Sequence, residues 1–146
     1  MIEVLEDRCV PAAQFTSVSS AVMKDGTLQV LFKESGINTT IARTEELTGT
    51  ATVSYQWSTK GGKTPQGPVF ASPTVQMDVK SQWISTTSGY FYVAPPPPTS
   101  DFLAYPHSST WVAIVTVSYT NLVVTDVTFG DSSAIPNATG TGIANL

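Results

Sequence analysis

The sequence predicts an all-β fold, a single antiparallel sandwich of about seven or eight strands. Three observations predict it. Apolar and polar residues alternate with period two over much of the chain. Turn residues punctuate these runs at short spacing. No window carries a convincing helical period, so the chain lacks the helices that the crossovers of a parallel sheet require.

The elements follow in order. "QFTSVSSAVM" is a weak alternating run, and Asp25-Gly26 after it is a hairpin signal of the primed-turn kind. In "TLQVLFKE", Leu28, Val30 and Phe32 share one face. "INTTIAR" is a weaker strand, and "RTEELTG" reads as a polar connection or at most one helical turn. In "TATVSYQWS", Ala51, Val53, Tyr55 and Trp57 alternate with polar residues, as a strand with one buried face requires. "TKGGKTPQGP" has the composition of a loop. "SPTVQMDVKS" alternates again, with Val75, Met77 and Val79 opposite Thr74, Gln76, Asp78 and Lys80. "TTSGYF" carries a glycine turn. The prolines of "APPPPTS" donate no ladder hydrogen bonds and favour an extended crossing between sheets.

The next stretch, "STWVAIVTVSYTNLVVTDVTFGD", is long for one strand. Trp111, Ala113, Val115, Val117 and Tyr119 share a face, and a bend or bulge is expected near Thr120-Asn121 before Leu122 and Val124 continue. The ending from 131 to 146 is small, polar and turn-rich, and is expected to be a flexible tail. The predicted organisation is a targeting or processing segment at 1–13, an immunoglobulin-like sandwich at 14–130 and that tail.

Composition narrows the function. Only 12% of residues are charged, and the net charge is −4. Lys and Arg are scattered singly, so the basic cluster that nucleic acid or an anionic membrane surface requires is missing. No apolar run reaches the ~20 residues of a membrane span. The region before Pro11 is acidic and has no apolar signal-peptide core, so an exported form is expected to carry that core elsewhere or to use another route. One cysteine, Cys9, makes neither an internal disulfide nor a thiolate zinc site.

Catalytic constellations are weak. The single histidine, His107, stands beside Ser108 and Ser109, but no nucleophile elbow is present and a loop histidine is the simpler reading. Cys9 has acidic neighbours that raise a thiol pKa. Asp78, Asp101, Asp126 and Asp131 are the acids that sugar hydrolysis would draw on, and nothing in the spacing pairs them. Asp126 interrupts "LVVTDVTF"; it is expected to bend or end a strand, or to accept backbone hydrogen bonds at a corner, in preference to catalysis or calcium binding. "TKGGKT" lacks the first glycine of a phosphate-cradling loop. No catalytic residue, metal or cofactor is therefore expected. Tyr55, Trp57, Trp111 and Tyr119 lie on apolar phases and read as core. Trp83, Tyr90, Tyr92 and Tyr105 lie near loops and are the candidate ligand-binding residues.

Two stretches resemble known families. Leu5, Glu6, Asp7, Arg8, Val10, Pro11 and Ala12 resemble the Leu-Glu-Asp-Arg-x-Val-Pro-Ala signature near the N-termini of exported planctomycete proteins, which implies an extracellular or cell-surface location. Residues from about 15 to 130 are similar to a family of small secreted bacterial proteins, many actinobacterial, without assigned function. The resemblance is strongest at Val117, Ser118, Tyr119, Thr120, Asn121, Asp126, Thr128 and Gly130. It implies that Trp57 and Tyr105 stand where relatives carry two cysteines. The expected function is a non-catalytic secreted or surface domain with a structural or interaction role. A carbohydrate-binding module using loop aromatics is the alternative, and an unrecognised hydrolase the weaker one. Expected partners are an extracellular polysaccharide or another surface protein.

Overall fold

The computed structural model describes residues 12–146. The targeting segment expected at 1–13, and Cys9 with it, lies outside the described residues apart from Ala12 and Ala13. The fold is an antiparallel all-β sandwich of two sheets, with three and six strands. Nine strands are described, against the seven or eight expected: β1 (Gln14–Val22), β2 (Leu28–Ser35), β3 (Arg43–Ser58), β4 (Pro65–Ala71), β5 (Val75–Trp83), β6 (Ser88–Val93), β7 (Val112–Asp126), β8 (Ser132–Ala134) and β9 (Ala138–Ile143). A short helix, α1 (Ser100–Ala104), precedes β7, with the Thr99 hydroxyl accepting from the Phe102 N–H as its N-cap.

The small sheet runs in the order β1, β2, β6. Its hairpin forms at Asp25-Gly26 but has a longer connection than a two-residue primed turn. Met23 N–H donates to Thr27 O at 2.8 Å, and left-handed Gly26 (φ 90°) ends a three-residue loop. The large sheet is built on the β3–β7 ladder. β5 pairs the first half of β3 and β4 the second, while β9 and β8 pair successive parts of β7's other edge.

β3 corrects two expectations. "RTEELTG" is not a connection but the first half of this 16-residue strand, and "INTTIAR" is mostly turn, leading into β3 only at its last residue, Arg43. The inward phase of β3 is Arg43, Glu45, Leu47, Gly49, Ala51, Val53, Tyr55 and Trp57, all buried. Two charged residues at its start conceal the alternation. Part of the stretch expected as a loop after β3 forms β4, whose Pro65 and Pro68 suit an edge strand.

The bend expected in β7 is a bulge. Asn121 takes a left-handed φ of 54°, and the register against β3 slips between Thr48 and Thr50. The extra residue switches the buried phase from Ala113, Val115, Val117 and Tyr119 to Leu122, Val124 and Asp126. Opposite the bulge stands Gly49, where a Cβ would come within 2.6 Å of Leu122 Cδ2. The core fills from both sheets: Leu28, Val30, Phe32 and Phe91 meet the inward residues of β3 and β7.

The stretch 131–146, expected to be a flexible tail, supplies β8 and β9 and buries Ile135 and Ala138. Its Thr- and Gly-rich sequence carries no apolar alternation, and the edge of β7 supplies the pairing. The small residues also permit close approach: a Cβ on Gly142 would come within 2.1 Å of Lys24 O. Pro95–Pro98 cross from β6 to α1, and the carbonyls of Pro96 and Pro97 accept hydrogen bonds from Tyr55 Oη and Ser72 Oγ.

Candidate functional site

Three groupings of side chains stand out, one on the outer face of the small sheet and one at each end of the β3–β7 ladder. On the outer face, Tyr90 and Tyr92 alternate with buried Phe91, so both rings point to solvent. They are 48% and 53% exposed, with centroids 5.0 Å apart. Cross-strand pairing places Leu31 and Gln29 beside them, and the Gln29 amide donates to Tyr92 Oη at 3.2 Å. Trp83, at the end of β5, meets Tyr90 edge-on at 5.1 Å and Phe32 at 6.1 Å. It is half-buried and bridges the two sheets, packing closely over Gly89. Three of the four candidate residues therefore come together.

Tyr105 belongs elsewhere. It is half-buried, sits edge-on to Phe70 at 5.8 Å and covers Gly67. Trp57 stacks between Phe102 (centroids 4.6 Å) and His107 (3.7 Å), and its indole N–H donates to Phe102 O. Trp57 and Tyr105 thus join one aromatic cluster through Phe102 and Phe70, which touch each other at 5.7 Å. The His107 Nδ1 lies 2.6 Å from Tyr105 O, an arrangement that holds an imidazole flat on an indole. A shallow cleft of about 310 Å³ lies beside this stack, lined by Ser108, Ser109 and Trp111 among others.

The opposite end of the ladder is charged. Strand geometry carries the inward phase on regardless of chemistry, so Glu34 follows Phe32 on β2, Arg43 and Glu45 precede Leu47 on β3, and Asp126 follows Val124 on β7. All four are buried at 2% exposure or less. Arg43 Nε donates to Glu34 Oε1 at 3.0 Å and Glu45 Oε2 at 2.8 Å, and Nη1 donates to Thr86 O at 2.6 Å. Asp126 Oδ2 is 3.9 Å from the same Nε. The other Asp126 oxygen accepts from the N–H groups of Thr128 and Phe129, which is the corner role expected of it. The turn so formed brings in Asp131, whose carbonyl accepts from Asp126 N–H.

Compensation at this end is incomplete. Glu34 Oε2, Glu45 Oε1, Asp126 Oδ2 and both Asp131 carboxylate oxygens are buried without a hydrogen-bond partner. One oxygen each from Glu34, Asp126 and Asp131 lie within 4.8 Å of one another. Burial, reinforced by Glu45, Asp126 and Asp131, pushes the Glu34 carboxyl far above the ordinary carboxylate range. Burial also raises Glu45, against the opposing influence of Glu34 and Arg43.

Residue types alone concealed this cluster. Asp126 and Asp131 stood out as isolated acids, whereas Glu34, Arg43 and Glu45 did not stand out at all. The signal that finds them is phase: each lies two or four residues from an apolar inward residue of its strand. Asp78, by contrast, is exposed on β5 on the outer face of the large sheet, and the neighbouring Lys80 ammonium lies 3.7 Å from Glu46. Compared with known proteins, the chain matches no family model, no curated protein and no solved structure.

Proposed function

We propose that the chain is a non-catalytic binding module of the cell surface or extracellular space, and that its ligand surface is the outer face of the small sheet. One observation carries the reading: Tyr90 and Tyr92 stand side by side, half-exposed, on a regular strand. A tyrosine ring offers a flat apolar face and a polar tip. Gln29, Ser17, Ser19 and Lys33 share the same outward phase and add donors and acceptors around the rings. Apolar ring faces among hydroxyl-bonding groups suit a pyranose chain, so extracellular polysaccharide is the proposed ligand class. The export-type signature at Leu5–Ala12 supports the location. The paired antiparallel sheets support an immunoglobulin-like relationship. The placement of His107, stacked on Trp57 and bonded to a main-chain carbonyl, supports a structural use of that ring rather than a hydrolytic one.

The test is glycan-array screening followed by affinity electrophoresis. Tyr90→Ala and Tyr92→Ala are each expected to weaken binding about tenfold, the effect of truncating an aromatic anchor. Unfolding midpoints should move little, because both side chains lie half-exposed on an outer sheet face and neither belongs to the core. A wild-type chain that retains no polysaccharide defeats the ligand class. Exposed Leu31 between the strands then favours the second reading, a surface-protein partner on the same face.

A further inference from the structure

We infer that Glu34, Asp126 and Asp131 form an internal site for one hard divalent cation of the calcium class, enclosed between the sheets at the charged end. This goes beyond the proposed ligand face and is independent of it. Two observations carry it. The first is geometric: the three side chains bring oxygens within 4.8 Å of one another from β2, the end of β7 and the turn before β8. Two oxygens bound to one calcium ion at ~2.3–2.6 Å can be no more than about 5 Å apart, so every pair of the three is close enough to share a single ion.

The second observation is the unmet polar demand. Glu34 Oε2 and Asp126 Oδ2 belong to side chains with 0% exposure and have no partner. Native structures rarely leave such atoms orphaned without an ion or water. Arg43 does not meet the demand: its Nε goes to Glu34 Oε1 and Glu45 Oε2 and its Nη1 to Thr86 O, while its Nη2, itself buried without a partner, makes no hydrogen bond to any of these oxygens. Three carboxylates lie within 4.0 Å of that one guanidinium and Asp131 adjoins two of them, so a bound dication would offset most of the excess negative charge. A single proton on Glu34 can serve only one of the neighbouring carboxylate oxygens and leaves the others unmet.

The donor set selects the ion. All three ligands are carboxylates, which suit hard cations, and no thiolate or imidazole lies among them to favour zinc or copper. Magnesium demands shorter, near-octahedral bonds and gives up its water reluctantly, which suits a closed pocket poorly. The Asp126 carboxylate is already oriented, since its other oxygen is held by two backbone N–H groups. A cation here would tie β2 to the turn between β7 and β8.

The experiment uses the full chain stripped with EDTA. Calcium chloride is titrated against thermal unfolding and by calorimetry, with magnesium chloride and sodium chloride at matched ionic strength. At calcium about 100-fold above its dissociation constant the midpoint should rise by about 5 °C or more. Calorimetry should count one ion per chain. Asp131→Asn and Glu34→Gln should each abolish the rise, and Asp78→Asn, an exposed acid, should retain it. No rise with no calorimetric heat overturns the inference, as does a rise that survives both substitutions or an equal response to magnesium. Should Asp131→Asn fail to fold, Glu34→Gln and the wild-type stoichiometry decide alone.

Discussion

At one end of β3 the inward residues are Tyr55 and Trp57; at the other they are Arg43 and Glu45. The same strand, with the same pleat and the same partner β7, buries both pairs. The aromatic end is closed by packing: Trp57 lies between two rings, and its indole N–H and the Tyr55 hydroxyl both donate to backbone carbonyls. The charged end is closed by electrostatics and leaves five carboxylate oxygens unmet. Fold geometry thus sets which positions are buried, and residue chemistry sets whether burial is satisfied. An end that is buried and unsatisfied has its requirement met by something other than packing, and that makes it the more informative of the two.

The largest predicted effect lies at the charged end. Arg43→Met keeps an unbranched apolar stem but removes the only buried cation of the cluster among the described residues. Breaking a buried ion pair from one side costs about 3–5 kcal/mol, because the remaining carboxylates stay buried without their partner. Urea unfolding at neutral pH, with EDTA present, measures it. A loss under about 1 kcal/mol would show that Arg43 does not hold this end together, and the contrast between the ends would collapse.

The intermediate effect lies at the aromatic end. Trp57→Phe keeps a ring between Phe102 and His107 but removes the indole donor, leaves the Phe102 carbonyl with the Tyr105 N–H alone and opens a void where the larger ring stood. The expected cost is about 1–3 kcal/mol, read from the same urea curves. Calcium should neither add to nor subtract from this loss, since nothing at this end is short of a cation. A loss that calcium repairs would mean that the two ends are not separate.

The same contrast explains what could be read from residues alone. Wherever the inward phase is apolar, as in Leu28–Val30–Phe32, Ala51–Val53–Tyr55–Trp57 or Ala113–Val115–Val117–Tyr119, alternation reveals the strand. The bulge at Asn121 was legible too, because the apolar phase changes there. The first half of β3 was not, since Arg43 and Glu45 occupy core positions that hydropathy assigns to solvent. β8 and β9 were hidden for a different reason: they hold few apolar residues, and their order comes from pairing with the edge of β7 or from close packing against Lys24. Trp83, Tyr90 and Tyr92 were legible as a group near loops, whereas Tyr105 was drawn inward by Phe70. The acidic cluster is assembled from three strands and a turn, so no local window contains it.

The effect that is smallest in acid separates the ends most cleanly. In the cation-free chain, burial first and then Glu45, Asp126 and Asp131 raise Glu34 far above the 4.5 of an ordinary glutamate. The folded chain therefore keeps a proton that the unfolded chain releases above that pH. The stability tied to Glu34 is fully present below about 4.5 and is lost as pH rises beyond it. Glu34→Gln replaces a protonated acid by a neutral amide of the same shape, so at neutral pH it should be more stable than wild type, by up to about 1.4 kcal/mol for each pH unit above 4.5. Plotted against pH, the difference between the two proteins should grow in favour of the variant as pH rises from 4.5, while Trp57→Phe stays parallel to wild type. Two parallel curves for Glu34→Gln would mean that Glu34 is ionised in the fold and already compensated, and the unmet oxygens would then be those of Glu45, Asp126 and Asp131.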